Sequence, residues 1–170
     1  MKKMRRLLMI RHAEAELGLG QPDFKRALTQ RGVKQARHCA DWISNQQLEI
    51  DCIVSSPAVR TCMTTDIICQ HLALDQDKIS YHQQLYNADP VTVQQIVEKS
   101  SQCNTLMVIG HNPGLSSLLN NIIDHPAQYI LTPASAAIVV IKENIFHTEH
   151  FLDAFYPAMA SLTAMYRSAA

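Results

Sequence analysis

Residues 7–13 read LLMIRHA, four apolar residues followed directly by an arginine and a histidine. Two later stretches have the same form, since residues 50–57 read IDCIVSSP and residues 105–114 read TLMVIGHNPG. A short apolar run that stops at polar or turn-forming residues is typical of a strand buried on both faces of a sheet. The three stretches therefore predict three buried strands, each followed by residues that can carry chemistry.

Longer segments with helical periodicity separate these strands. The predicted helix starts are, in chain order, Thr29, Ser56-Pro57, Pro90 and Asn112-Pro113. Further strands are predicted at Tyr81 and over residues 136–141 and 146–152. This order predicts an α/β three-layer sandwich around a mostly parallel central sheet, in a single domain over residues 1–170. We assign no element after about Pro157.

Composition excludes several classes of protein. Of the 170 residues 47% are hydrophobic, which excludes a disordered or low-complexity chain. Fifteen basic residues balance 15 acidic ones, and this neutral sum argues against a chain that coats nucleic acid or an anionic membrane. No stretch approaches the ~18 apolar residues that a membrane helix needs. We therefore expect neither nucleic acid nor a membrane as partner.

The cysteines predict a reduced protein. Their number, five, is odd, and no two of them are spaced as C-x-x-C. This pattern favours neither a disulfide framework nor a zinc ribbon, and it is typical of a cytoplasmic protein whose cysteines fill the core.

Four basic or titratable side chains lie at predicted strand ends. In a parallel sheet, ligands bind beyond the carboxyl ends of the strands, where Arg11, His12 and His111 are expected. Arg60 falls in the first turn of the second helix, where its side chain can bend back to the same edge. Each residue alone has an ordinary interpretation, as a surface arginine or a loop histidine. Together, two arginines and two imidazoles predict a site for a phosphate group.

These residues also carry a family resemblance. The motifs are Arg11-His12-Ala13, Leu28-Thr29-x-x-Gly32-x-x-Gln35-Ala36, Ser55-Ser56-Pro57-x-x-Arg60-x-x-x-Thr64, Leu85-Tyr86-Asn87-Ala88 and Gly110-His111-Asn112-Pro113-Gly114. In their order and placement they resemble the histidine phosphatase superfamily, also called phosphoglycerate mutase-like, and within it most resemble the phosphohistidine phosphatases of the SixA type. The resemblance extends from about residue 5 to 155.

The resemblance implies catalysis through a phosphohistidine intermediate. His12 would be the nucleophile, while Arg11, Arg60 and an imidazolium at His111 would bind the phosphoryl oxygens and stabilise the charge in transfer. No metal and no cofactor is expected, since these groups can supply the positive field. The expected substrate is a phosphorylated molecule, which includes a protein domain that carries phosphohistidine.

The chain departs from the family pattern at two points. Ala13 stands where the broader superfamily usually has glycine, a change that the SixA-type proteins share. The carboxylate acid of the larger mutases and acid phosphatases is missing, which leaves Asp89 and Glu14 as candidate acids. A phosphohistidine substrate fits this absence, because its imidazole can leave neutral. Two alternatives stay open: a small-molecule phosphomonoesterase or mutase-like enzyme, and a non-catalytic phosphate-recognition module.

Overall fold

A six-stranded sheet organises the molecule. The computed structural model describes residues 4–123, 129–142 and 145–156. The strands are β1 Met4–Arg11, β2 Cys52–Ser55, β3 Ile79–Tyr81, β4 Thr105–Gly110, β5 Ala136–Lys142 and β6 Ile145–Phe155. They lie in the order β3-β2-β4-β1-β5-β6. The β1–β4, β2–β4 and β2–β3 pairs are parallel, while β1–β5 and β5–β6 are antiparallel. The predicted mostly parallel sheet is confirmed, and its two final strands form an antiparallel pair.

Two helical layers cover the sheet. The helices are α1 Gln30–Asn45, α2 Val59–His71, α3 Pro90–Lys99 and α4 Gly114–Ile123. Alternate residues of β1 face opposite layers, so that Leu7 and Met9 pack with apolar residues of α3 and α4. Leu8 and Ile10 pack with those of α1 and α2. Burying one such side chain stabilises the fold by roughly 1.5–3 kcal/mol. A shift of β1 by one residue would exchange its two faces, so this alternation fixes the register of β1 and with it the place at which β1 ends.

Two of the four helices start later than the sequence predicts. The Thr29 side chain does cap α1, since its hydroxyl accepts from Gly32 N at 2.9 Å. However, α2 starts at Val59 rather than at Pro57. The reason is that Ser56 N still donates to Ile109 O of β4 at 3.1 Å, which keeps residue 56 extended. Similarly, α4 starts at Gly114, after a cis Asn112–Pro113 peptide bond.

The prediction that no cysteines pair is wrong. Cys52 and Cys103 form a disulfide with a Cα–Cα distance of 6.0 Å. This bond joins the start of β2 to the residues just before β4, at the opposite end of these strands from Arg11. The sequence gives no sign of it because the two cysteines are 51 positions apart and meet only through strand pairing. Cys39 and Cys69 are buried in the core, as expected.

Two further predictions are only partly covered by the structure. No helix in the described residues is both long and apolar enough to cross a membrane. The single domain over residues 1–170 stays a prediction, since residues 157–170, which include the unassigned C-terminal segment, lie outside the described part.

Candidate active site

Three adjacent strands bring their ends to one edge of the sheet. Arg11 is in register with Gly110, and His12 N donates to Gly110 O at 3.1 Å. On the other side of β4, Ser56 N continues the pairing of β2. His12, Ser56 and His111 therefore lie next to one another, as the parallel topology requires.

His12 is held in one tautomer by two neighbours. Its Nδ1 lies 2.8 Å from the carbonyl oxygen of Ala13, which can only accept, so Nδ1 carries the proton. Its Nε2 accepts from Arg60 Nε at 3.2 Å, which places the free lone pair on Nε2. Burial lowers the pKa of His12 to about 4, against the effect of the Ala13 hydrogen bond, and the positive charge of Arg60 lowers it further. At neutral pH this imidazole is uncharged and has a lone pair available on Nε2.

His111 has the opposite tautomer. Its Nδ1 lies 3.3 Å from Arg60 Nη2, a group that only donates, so Nδ1 accepts and the ring proton is on Nε2. The Nε2–H group donates a hydrogen bond to Ser56 Oγ at 2.8 Å. The centroids of the His12 and His111 rings are 5.1 Å apart. The pKa of His111 is lowered to about 3. Burial is the largest cause, and the neighbouring His12 and Arg60 lower the pKa further. The ring is therefore neutral in the free site, and the imidazolium that the resemblance implies during phosphoryl transfer stays a prediction.

Thr64 fixes the backbone beside His12. Its hydroxyl accepts from Ala13 N at 3.1 Å and donates to the carbonyl of Arg60, one turn earlier in α2, at 2.7 Å. One buried side chain thus joins the end of β1 to the first turn of α2. This contact sets His12 against Arg60.

The two arginines leave an anion-binding group without a partner. Arg60 is only 3% exposed, although it carries a full charge. Arg11 donates from Nη1 to the carbonyl of Leu131 at 3.1 Å, but its buried Nε has no hydrogen-bond partner within the described residues. Burial lowers the pKa of Arg11, and so does its neighbour Arg60. A buried and a half-buried guanidinium, with one unsatisfied N–H at the strand ends, fit an oxyanion.

Asp23 and Tyr86 also belong to this site, and sequence reasoning gave neither of them a role. The Asp23 carboxylate binds Arg60 Nη2 at 3.0 Å and accepts from the Tyr86 hydroxyl at 2.6 Å. The Tyr86 ring lies edge-on to His111 with the centroids 5.5 Å apart, and Arg60 Cζ lies 5.8 Å from the same ring centroid. Asp23 begins a 3-10 helix of three residues, 37 positions from Arg60, and no local pattern marks it as a partner of Arg60.

The two candidate acids do not join the cluster. Asp89 caps α3, where Oδ1 accepts from Val91 N at 2.9 Å and from Thr92 N at 3.0 Å. These hydrogen bonds, with the backbone of Thr92 first, lower the pKa of Asp89. Glu14 accepts from the Thr29 hydroxyl at 2.8 Å and forms an ion pair with Arg31 at 3.3 Å. The structure thus brings together Arg11, His12, Arg60 and His111, and leaves both carboxylates elsewhere.

Comparison with protein families gives a match over about half of the chain. Residues 7–89 match the model of the histidine phosphatase superfamily (branch 1). The mitochondrial serine/threonine-protein phosphatase Pgam5 of Drosophila ananassae is 35% identical over 78 residues, which are 46% of this chain and 27% of that protein. An uncharacterized protein of Mycobacterium tuberculosis is 31% identical over 110 residues, 64% of this chain and 66% of its own length. The chain thus spans about a quarter of the first relative and about two thirds of the second.

Solved structures share the architecture. The protein histidine phosphatase SixA complexed with tungstate superimposes with a TM-score of 0.80 at 22% identity, over 90% of this chain and 97% of that one. The putative phosphohistidine phosphatase SixA from Agrobacterium tumefaciens gives 0.78 at 24% identity, over 90% and 98%. A putative alpha-ribazole-5'-P phosphatase from Escherichia coli gives 0.67 at 18% identity, over 88% and 96%. At these identities the likeness shows a shared fold.

Proposed function

Because the chain belongs to the histidine phosphatase superfamily, we propose that it is a phosphatase that hydrolyses phosphohistidine through a phosphoryl group carried on His12. The observation that carries this proposal is the state of that ring. Its Nδ1–H is held by Ala13 O, its pKa is about 4, and its Nε2 lone pair points at Arg60. A neutral, oriented imidazole beside two guanidinium groups is what nucleophilic attack on phosphorus needs.

In the first step, the Nε2 lone pair of His12 attacks phosphorus and a new N–P bond forms. The bond between phosphorus and the substrate nitrogen breaks, and its electron pair returns to the substrate imidazole. Arg60 Nε–H loses its acceptor as Nε2 reacts, and it then donates to a phosphoryl oxygen. The ring of His12 becomes positive, and the hydrogen bond from Nδ1–H to Ala13 O stabilises that charge.

In the second step, water attacks the phosphorus opposite Nε2. The N–P bond breaks, its electron pair returns to His12, and the phosphate leaves as H2PO4⁻ with both protons of the water. Nδ1 keeps its proton throughout, so the ring returns to the tautomer in which it started. Arg11, whose Nε has no hydrogen-bond partner among the described residues, is positioned to bind another phosphoryl oxygen.

The substrate bond is assigned as P–N because of the charge state of the site. Among the described residues hydrogen-bonded to Arg60, the carboxylate is Asp23, and the hydrogen bond from Tyr86, followed by that from Arg26, holds its pKa well below its usual range. An ionised Asp23 has no proton to give to an alkoxide. A substrate imidazole that is protonated on its other nitrogen leaves neutral and needs none.

The positive field is proposed to come from the chain alone. Arg11 and Arg60 supply two fixed charges, and one preorganised donor commonly contributes about 3 kcal/mol to a barrier. No cluster of three His, Cys, Asp or Glu side chains suited to a metal ion occurs in the part of the chain that the structure describes. Activity that survives EDTA is the expected result, and its loss with recovery on added metal would contradict this step.

The test compares the native protein with His12→Ala and with His38→Ala, a matched change at an exposed histidine of α1. The substrates are a protein phosphorylated on histidine, phosphoramidate and p-nitrophenyl phosphate. We expect native and His38→Ala proteins to cleave the two P–N substrates faster than the ester. We expect rapid quenching to trap an acid-labile phosphate on His12, found by mass spectrometry. Activity that persists in His12→Ala would refute the nucleophile.

Two other outcomes of this test identify other functions. Faster turnover of phosphoesters than of P–N substrates would make the chain an ester phosphatase, which the relationship to the serine/threonine-protein phosphatase Pgam5 favours as the second candidate. Binding of phosphate without label on His12 would make it a phosphate-recognition module. In both cases the P–N assignment fails.

A protein substrate and a cytoplasmic setting are part of the proposal. The superimposable SixA structure is that of a protein histidine phosphatase, and this supports a phosphohistidine protein as the substrate class. The cytoplasmic assignment loses the support of the cysteine pattern, because Cys52 and Cys103 pair and disulfides are rare in reducing compartments. Alkylation of thiols in intact cells, followed by counting of the modified cysteines, tests the cytoplasmic assignment. All five cysteines are expected to be free thiols in a reducing cytoplasm.

A further inference from the structure

The guanidinium of Arg60 uses its two hydrogen-bonding edges for different purposes. The side edge, formed by Nε and Nη2, faces His12 Nε2 at 3.2 Å and His111 Nδ1 at 3.3 Å. The end edge, formed by Nη1 and Nη2, faces Asp23, whose backbone oxygen lies 2.7 Å from Nη1 and whose Oδ2 lies 3.0 Å from Nη2. A planar guanidinium gripped at its end edge cannot rotate its side edge away.

The grip itself is anchored on both sides of the site. Asp23 Oδ1 accepts from Arg26 Nη1 at 2.8 Å, while Oδ2 accepts from the Tyr86 hydroxyl at 2.6 Å. Arg26 directly follows the 3-10 helix that Asp23 begins, and Tyr86 comes from the segment that leads to α3. Both carboxylate oxygens are therefore occupied by donors, and the carboxylate has one preferred orientation.

From this arrangement we infer that Asp23 is the positioning residue for Arg60, holding its end edge so that the Nε and Nη2 hydrogens face the phosphoryl group on His12. This rests on the proposed function, in which Arg60 binds that group. Asp23 does not touch the phosphoryl group in this role. It acts through Arg60, and its ionised carboxylate also balances a charge that is 97% removed from solvent, since Arg60 is 3% exposed.

A change of Asp23 to asparagine is expected to weaken the grip without emptying the space. Asparagine has one oxygen where aspartate has two, so its amide group must face either Arg26 or Arg60, and both only donate. Arg60 then keeps the backbone oxygen of residue 23 on Nη1 and loses the charged acceptor on Nη2, so that its orientation is less fixed. Misplacing a catalytic group by about 1 Å costs up to ~100-fold in rate, and we expect Asp23→Asn to lower kcat by about 10–100-fold.

The experiment is a double-mutant cycle with two readouts. The proteins are native, Asp23→Asn, Arg60→Lys and the double variant, with Asp77→Asn as the matched change at an exposed carboxylate of a 3-10 helix. The readouts are kcat and KM for phosphoramidate, and the Kd for inorganic tungstate by calorimetry. We expect Asp23→Asn to lower kcat and to weaken tungstate binding by about tenfold, while Asp77→Asn changes neither. On the Arg60→Lys background, Asp23→Asn should change both by less than about twofold, because lysine has no end edge to hold.

Three results would overturn the inference. Tighter tungstate binding in Asp23→Asn would mean that Asp23 competes with the substrate for Arg60. Equal losses in native and Arg60→Lys backgrounds would mean that Asp23 acts independently of Arg60. Unchanged tungstate binding and kcat would mean that Arg60 needs no grip. The calorimetric arm separates this inference from the proposed function, because tungstate binding reports on Arg60 even if the protein turns over no substrate.

Discussion

Acid should destabilise this protein steeply because of the two histidines at the site. Burial lowers the pKa of His12 to about 4 and that of His111 to about 3, whereas an unfolded histidine titrates near 6.5. The unfolded chain therefore binds two more protons than the folded one between about pH 6.5 and pH 4. The stability that depends on these two neutral histidines is fully present well above pH 6.5 and is lost as the pH falls, because protons then bind preferentially to the unfolded state.

The expected size follows from proton counting. Two extra protons give a limiting slope of about 2.7 kcal/mol per pH unit, and because unfolded histidines are only half protonated near pH 6.5, about 4 kcal/mol is lost between pH 7 and pH 5. That is a large fraction of the roughly 5–15 kcal/mol that holds a typical domain folded. Carboxylates such as Asp23, whose pKa is also lowered, lose their contribution only at lower pH and do not enter this window.

Urea unfolding at pH 7, 6 and 5 measures this loss, followed by the fluorescence of the single tryptophan, Trp42, which stacks on Phe155. His111→Gln should reduce the slope to about 1.4 kcal/mol per pH unit, because one of the two buried histidines is gone. His38→Gln, a change at an exposed histidine of α1 outside the site, is the matched control. A native loss below about 1 kcal/mol between pH 7 and pH 5, or the same slope in His111→Gln, would refute the reasoning.

Three other changes test single contacts. Thr64→Val leaves the Ala13 N–H buried without an acceptor and should lower the free energy of unfolding in urea by about 1–3 kcal/mol, while Thr64→Ser should keep most of the native stability. Equal stability of the two variants would contradict the role of this contact. Gly114→Ala places a methyl group against the carbonyl oxygen of Ala88 and should cost about 1–3 kcal/mol and lower kcat by moving the segment next to Tyr86; a native-like Tm and kcat would refute it. Cys103→Ser opens a disulfide across 51 positions and should cost about 4 kcal/mol in the chain-entropy model; a reductant should destabilise the native protein by the same amount and leave the variant unchanged.

The fold was predictable where one short stretch is enough to define an element. Residues 106–109 are apolar throughout, and every residue of β4 is buried, because this strand has helices on both faces. The helix starts were predictable only where the cap acts locally, as Thr29 does on Gly32. At Ser56 the local pattern gives the wrong start, since a hydrogen bond to β4, more than 50 positions away in sequence, keeps the backbone extended.

The same division applies to the site. His12 and His111 were predictable because topology alone brings strand ends together. Asp23 was not, since its partners Arg60 and Tyr86 are 37 and 63 positions away and meet it only after the loops have closed. No local feature of a polar segment distinguishes an aspartate that binds an arginine from one that is solvated.

The charge of His111 illustrates what such non-local contacts change in the chemistry. The family resemblance implies an imidazolium during phosphoryl transfer. In the free folded chain, burial, then the neighbouring His12 and Arg60, lower the pKa of His111 to about 3, so the ring is neutral. A phosphoryl dianion placed between Arg11 and Arg60 would offset the repulsion from their positive charges, while the burial of the ring would be unchanged. The free site therefore keeps both imidazoles neutral, which leaves the Nε2 lone pair of His12 available for attack.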